Sequence, residues 1–433
     1  MATEWEFVKL EHLVDPDRGI SYGIVQPGGP VGDGVPIIRV SDIRDGRIST
    51  SEPLRVSPAI EAGYARTRLR GGELLLTLVG TVGEAAVVPE SLAGWNTARA
   101  VAVIPVRKDI GSYWVKLALR SPSVRQIVDS RLNTTVQATL NLRDVAELPI
   151  ALPPQGERDA ITHILGTLDE KIELNRRMSE TLEAMARAVF KSWFVDFDPV
   201  RAKTEGRSTR LPPYLDALFP DSFEESELAE IPAGWEWGML SDLAWLNPEA
   251  WSTETRPPVI NYVDLSNAKL GRIETITAYA QEDAPSRAQR LLRVHDTIVG
   301  TVRPGNRSYA FISDEGLTGS TGFVVLRPQQ TKYAELVYLA ATATENIERL
   351  AHLADGAAYP AVRPEVVAST RIAKAPSEII ESFLRIAGPL LAKLAASDRE
   401  SKTLALMRDT LLPKLMSGEV RVQARDRCVA ECR

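Results

Sequence analysis

Five arginines crowd one stretch of the chain, Arg287, Arg290, Arg293, Arg303 and Arg307, with Asp296 the single acid among them. A looser counterpart, Arg39, Arg44, Arg47, Arg55, Arg66, Arg68 and Arg70, lies nearer the N-terminus. A guanidinium is a flat, permanently charged fork of donors, suited to bidentate contact with phosphate oxygens and guanine edges. The rival reading of such clusters is a solvated face laced with ion pairs. Beside the first set stand Asn96, Thr97, Arg99, Asn133, Thr134, Thr135 and Gln137. These could read base edges, and turn chemistry accounts for asparagine and threonine there about as well. Gly80, Thr81 and Gly83 would let a backbone approach a phosphate closely, or simply make a tight turn. The candidate nucleic-acid contacts are Arg39, Arg44, Arg68, Arg99, Thr135, Gln137, Arg287, Arg290, Arg293, Arg303 and Arg307.

A net charge of −6 looks wrong for a nucleic-acid partner until it is divided along the chain. Residues 1–153 carry 17 basic and 17 acidic side chains, and 231–375 carry 14 and 16. The deficit is concentrated in 154–230, with 10 basic against 16 acidic. Any basic groove must therefore be local.

Catalytic apparatus is missing from the sequence. There is no G-x-x-x-x-G-K-[ST] phosphate loop, and no glycine fingerprint opens a strand-to-helix turn. The [DN]-P-P-[FY] tetrapeptide that would hold a target base amine is absent; Asn247-Pro248-Glu249 and Asp198-Pro199-Val200 do not supply it. Glu400-Ser401-Lys402 falls on a helical pattern, where residues two apart point in different directions. The only cysteines, Cys428 and Cys432, cannot build a tetrahedral zinc site with four scattered histidines. They read as thiols in a reducing cytoplasm. No apolar run approaches the ~18–20 residues a membrane span needs, and the N-terminus carries no signal region, so a cytoplasmic protein is expected. These gaps favour a binding protein over an enzyme.

The elements that would carry the arginines come in two copies. Offsets of 222 relate Pro154 to Pro376, Leu140 to Val362, Met185 to Met407 and Asp42 to Asp264. WEFVKLEHL (5–13) answers WEWGMLSDL (235–243) at an offset of 230, and GELLLTLVGTV (72–82) loosely answers HDTIVGTVRPG (295–305). VPIIRVSDI (35–43) is matched to PPVINYVDL (257–265). Each copy reads as short β segments followed by a helical stretch, near 112–130 and near 334–353. Approximate internal two-fold symmetry suits a two-fold partner such as DNA.

Each copy closes on a heptad-spaced stripe. The first runs through Ile161, Leu165, Leu168, Ile172, Asn175, Ser179, Leu182, Ala186, Val189 and Trp193. The second runs through Phe383, Ala387, Leu390, Leu394, Ser397, Ser401, Leu404, Arg408, Leu411 and Leu415. Two matching stripes, polar at the same middle pair, favour pairing with each other over packing separately. Helices of about 40 residues would span roughly 60 Å. Asn175 and Ser179 with Ser397 and Ser401 either set register or sit in a solvated turn. Trp193, Phe194 and Phe197 read as packing residues, with a docking face as the rival. The organisation is thus a first domain at 1–153, a helix at 154–198, a linker with a short docking segment at 199–230, a second domain at 231–375, a helix at 376–423 and a tail at 424–433.

FKSWFVDFDPVRAK (190–203) resembles the central conserved region of the DNA-specificity subunits of type I restriction-modification systems. LPPQGERDAI (152–161), LLPKLMSGEVRV (411–422), GVPIIRVSDI (34–43) and GTVGEAAVV (80–88) agree with it, in the family's order. APSEIIESF (375–383) and RPGN (303–306) depart from the usual pattern. The resemblance implies an α+β fold: two pseudo-symmetric α/β target-recognition domains separated by two long antiparallel coiled-coil helices. It implies that each domain reads one half of a split, asymmetric site in double-stranded DNA. It implies a non-catalytic subunit around which two methylase subunits form an adenine methyltransferase. Two further motor-nuclease subunits would complete the restriction enzyme. S-adenosylmethionine, ATP and Mg would then be held by those partners and not by this chain. A coiled-coil scaffold that binds proteins rather than DNA is the alternative.

Overall fold

Proline and serine punctuate the helices. The computed structural model describes residues 5–132, 138–226, 229–252, 254–356 and 360–422. The helical stretch expected near 112–130 is two helices, Ser112–Arg120 and Pro122–Ser130. Pro122 has no N–H to continue the first helix, and the Ser121 hydroxyl accepts from the Val124 N–H at 3.5 Å to start the second. The stretch expected near 334–353 is likewise two helices, Ala334–Ala341 and Thr344–His352. There the Thr342 hydroxyl turns back to the Tyr338 carbonyl (2.7 Å), and the Asn346 amide donates to the Ala341 carbonyl (2.8 Å).

The chain divides into two compact units, Met1–Glu173 with Ser401–Arg433, and Leu174–Glu400. The first unit holds a four-stranded sheet in the order Ser21–Tyr22, Val101–Ile104, Leu74–Thr77, Ala85–Val87. Beside it lie a three-stranded sheet (Leu54–Val56, Val35–Ile38, Asn96–Thr97) and the antiparallel pair Glu6–Lys9 with Pro149–Leu152. The second unit repeats the plan. Its first sheet runs Ala244–Leu246, Phe323–Pro328, Thr297–Gly300, Tyr309–Phe311. Its second runs Thr277–Ala280, Val259–Val263, Leu317–Ser320, Ala288–Leu291. Its end pair is Glu236–Met239 with Arg371–Lys374.

Pairing registers correct one of the sequence matches. Ile38 pairs with Thr97, and Val263 pairs with Gly319. Thr97 and Gly319 are 222 apart, so Ile38 corresponds to Val263, at an offset of 225. Asp264 therefore stands where Arg39 does and not where Asp42 does. Short β segments tolerate such slips because a few apolar residues look alike in several registers.

Both stripes lie on single helices of 40 residues each, Gln155–Phe194 and Ser377–Met416. Pro389 and Pro413 do not end the second. Within each unit the two helices run antiparallel. In the first, Ile161 and Leu165 share a core with Leu412, Leu415 and Met416. In the second, Ala186, Phe190, Trp193 and Phe194 share one with Phe383, Ala387 and Leu391. The middle of the stripe is not solvated: Asn175, Ser179 and Ser397 are all buried.

The segment 199–230, expected to be a linker with a short docking segment, is mostly exposed over its described residues and docks at a few positions. A short helix, Asp198–Thr204, follows the first long helix, and Val200, Leu215 and Phe219 join the second unit's core. Trp193 meets Phe219 edge-on with centroids 5.0 Å apart, and Phe194 meets Phe383 at 5.1 Å. Trp193, Phe194 and Phe197 are buried, so their aromatic surface is spent on this core.

Candidate nucleic-acid interface

Most of the arginines singled out by sequence already hold a partner. In the first unit Arg39 donates from Nε (3.0 Å) and Nη2 (2.8 Å) to the two oxygens of Asp42, and again to the Glu52 carbonyl. The hydrogen bond to Asp42 raises its pKa further. Arg68 forks onto Glu61 through Nε at 2.8 Å and through Nη2. Glu61 is only 3% exposed, and Asn96 Nδ2 also donates to it at 3.1 Å. The Arg68 bonds hold the Glu61 carboxyl below the usual carboxylate range. Asn96 and Thr97 are buried too; Asn96 Oδ1 accepts from the Thr67 hydroxyl at 2.8 Å. Neither faces outward: Asn96 ties the strand to Glu61, Tyr64 and Thr67, and the Thr97 hydroxyl is buried without a partner. Arg44 is exposed, 4.0 Å from Asp45. Arg99 is exposed and has no side-chain partner among the described residues. Asn133, Thr134, Thr135 and Gln137 lie outside the described residues, as do Cys428 and Cys432.

Three arginines of the second unit converge on one sheet and the loop beside it. Arg287 donates to the Tyr262 hydroxyl (3.1 Å) and to Asp264 (2.7 Å). Arg293 donates to Glu249 at 3.1 Å. Arg290, on the strand Ala288–Leu291, faces the bare glycine at 319 across the ladder. It is half-buried, its Nε has no acceptor, and burial pushes its pKa down. A desolvated guanidinium without an acceptor is costly in the free protein, and an incoming anion or base edge would supply the missing acceptor.

Arg303 and Arg307 flank the turn after Thr297–Gly300, both with positive φ (48° and 57°). The turn has a counterpart in the first unit. The Gly80 N–H donates to the Ala138 carbonyl (3.1 Å), as the Arg303 N–H does to the Pro360 carbonyl (2.7 Å). The Gly83 N–H is likewise taken, by the Thr77 carbonyl at 3.0 Å. The Gly80 and Gly83 N–H groups of GTVG are thus already taken within the first unit. Arg307 is exposed without a side-chain partner among the described residues.

Sequence reasoning missed Arg327. Its Nε and Nη2 each reach the fully buried Asp296 at 2.9 Å, and its Nη1 binds Glu249. The lone acid in the arginine stretch therefore serves Arg327 and caps the Arg293 backbone N–H at 2.8 Å. It does not neutralise the arginine side chains around it. The signal was the acid itself, since a single carboxylate in a basic run invites the question of its partner.

Among the described residues no group of His, Cys, Asp or Glu is placed to hold a metal ion. No helix among them is long and apolar enough to cross a membrane.

Residues 4–184 match the family described as type I restriction modification DNA specificity domain. The chain is 31% identical over 189 residues to the EcoBI specificity subunit of a type I restriction enzyme from Escherichia coli, covering 43% of this chain and 37% of that one. It is 27% identical over 347 residues to the HindI specificity subunit from Haemophilus influenzae, covering 68% and 74%. The match thus spans little over a third of the E. coli relative's length. The crystal structure of a type I restriction-modification S subunit from M. genitalium superposes with a TM-score of 0.55 at 14% identity, over 96% of this chain and 97% of that one. Two units built on one plan, each adding a stretch of two long helices, agree with that likeness in fold. Over residues 4–184 the chain carries the DNA specificity domain of type I restriction-modification systems, and beyond them it is similar in sequence and fold to their specificity subunits.

Proposed function

We propose that the chain is the DNA-reading subunit of such a system and carries no catalytic step itself. Each unit reads one half of a split, asymmetric site in double-stranded DNA. The observation that carries this reading is the pairing of one repeated plan with unspent guanidinium groups in both copies: Arg99 in the first unit, Arg290 and Arg307 in the second. Arg39, Arg68, Arg287 and Arg293 serve mainly to shape the surface, since each would have to leave a carboxylate before it could grip DNA. Two methylase subunits, and in restricting assemblies two motor-nuclease subunits, complete the complex. S-adenosylmethionine, ATP and Mg belong to those partners.

Selecting bound duplexes from a randomised pool with the assembled methylase, at two salt concentrations, tests the reading. Enrichment of two fixed half-sequences separated by an unconstrained gap is the expected result. Retention of the pool without enrichment, equal at both salts, would overturn it and leave a protein-binding scaffold.

A further inference from the structure

Each unit seats its sheets on the long helices through a polar joint, and the two joints occupy equivalent positions with different charges. In the first unit the Tyr113 hydroxyl (2.7 Å) and Lys116 Nζ (3.3 Å) both donate to Asp169 Oδ2. Arg408 Nη1 donates to the other oxygen at 2.7 Å, and Arg120 Nη2 reaches Asp409 at 3.3 Å. The inner part of the joint is shielded, the Lys116, Asp169 and Arg408 side chains being 8%, 17% and 13% exposed, while the Arg120–Asp409 pair at its rim is 28% and 54% exposed.

At the 222-residue offset, Tyr113, Lys116 and Arg120 become Glu335, Tyr338 and Thr342. On the helices, Asp169, Arg408 and Asp409 become Leu391, Ala186 and Arg187. The second joint works through those residues and Glu183. The Tyr338 hydroxyl donates to Glu183 Oε1 at 2.9 Å. Arg187 donates to the Thr342 carbonyl (3.0 Å) and hydroxyl (3.1 Å), with its guanidinium 5.6 Å from the Tyr309 and Tyr338 ring centres. At one corner, then, the first unit has a cation on the sheet side and an acid on the helix. At the matching corner the second unit has the cation on the helix.

We propose that the joints are a charge code: each seat on the long helices accepts its own sheet domain and rejects the other, from the same chain or from a second copy. Cross-seating would bring Arg120 against Arg187 and Glu335 against Asp169. It would also strip Lys116 from the shielded Asp169. Like charges forced to ion-pair distance in a joint with little water repel strongly, and selectivity between near-identical partners needs such a repulsive element. The apolar contacts of the seats differ too, Phe383, Phe190 and Trp193 standing where the first seat has Ile161, Leu412 and Leu415, so variants of matched bulk are needed to isolate the charges.

Thermal unfolding of the full-length chain tests the code. Thr342→Arg places the first domain's cation against Arg187, and Thr342→Met adds comparable bulk without charge. Thr342→Arg should melt at least about 3 °C below Thr342→Met, and adding Arg187→Gln to Thr342→Arg should recover that gap. A second pair probes the other seat and decides if neither Thr342 variant folds. Tyr113→Glu should melt below Tyr113→Gln at neutral pH, and the gap should close as acid protonates the paired carboxylates. Equal melting within either pair at neutral pH, or no recovery from Arg187→Gln, overturns the proposal.

Discussion

Asn175 and Ser397 stand at equivalent positions of the two long helices and touch: Asn175 Nδ2 donates to the Ser397 carbonyl at 3.5 Å and to Glu400 at 2.8 Å. Ser179 adds a 3.4 Å bond to Asp398, while Asn175 Oδ1 is buried without a partner. A half-satisfied amide in a short polar break between apolar stretches of the seam marks register at some cost in stability. Asn175→Leu should therefore leave the melting temperature unchanged or raise it, while loosening the pairing. Hydrogen exchange checks this: amides near 172–179 should exchange faster even though the protein melts no earlier.

Arg68 and Arg99 should separate cleanly. Arg68→Ala strands the buried Glu61 and should lower the melting point by a few degrees. Arg99→Ala should leave melting unchanged, weaken DNA binding by the assembled complex, and reduce the magnitude of its log–log salt slope by roughly 0.9 if it meets one phosphate. Melting curves and salt titrations of the two variants side by side are the check.

In the second unit, Arg290→Ala should weaken DNA binding with no loss of stability, because the replaced guanidinium is desolvated and lacks an acceptor at Nε. Arg327→Met should do the opposite in stability: it leaves Asp296 buried and unpaired, a loss of about 3–5 kcal/mol for a broken buried pair. Denaturant titration orders the two variants, and the reverse order would contradict the geometry.

Acid should loosen the first unit at its joint. Burial alone would raise the Asp169 pKa, but Lys116 and the bonds from Arg408 and Tyr113 outweigh it and hold the carboxyl below its ordinary value of 3.8. A carboxyl depressed by folding contributes stability that is present above its unfolded pKa and lost as pH falls through the folded one. Asp169→Asn should lower stability at neutral pH and flatten its dependence below about pH 4. Glu335 works in the other direction: burial raises its pKa, so acid relieves a cost there. Stability against pH for wild type and Asp169→Asn gives the comparison.

Phe383→Ala should cost about 3–5 kcal/mol, as large-to-small changes in a packed aromatic core do. Phe383 is fully buried among Phe190, Trp193 and Phe194. Guanidinium unfolding followed by tryptophan fluorescence measures the loss.

The helices were legible in the sequence because their signal is long: ten heptad positions repeat at one offset, and burial of Ile161, Leu165, Asn175, Ser179, Phe383 and Ser397 follows it. The strands were less so. A four-residue β segment such as Val35–Ile38 fits several registers, which is how Asp42 came to be matched with Asp264. Breaks inside the shorter helices depended on single side chains, Pro122 in one copy and Thr342 in the other. The arginines were the hardest. Type and clustering do not reveal which guanidinium meets a carboxylate, since Arg287 and Arg290 differ only in what the fold brings beside them. In 199–230, proline and charge set the composition, while Val200, Leu215 and Phe219 decide where the segment docks.

Equal length has a genetic consequence. The two long helices are 40 residues each and correspond position for position at an interval of 222. A crossover between equivalent codons of the two helix-coding segments would delete or add 222 codons, a whole number of reading frames. The recombinant helix would still be 40 residues, begun by one copy and finished by the other. Such a gene would lose or gain one repeated domain in one event without a frameshift or a broken helix. The product would be sorted afterwards by which charges it brings to each seat.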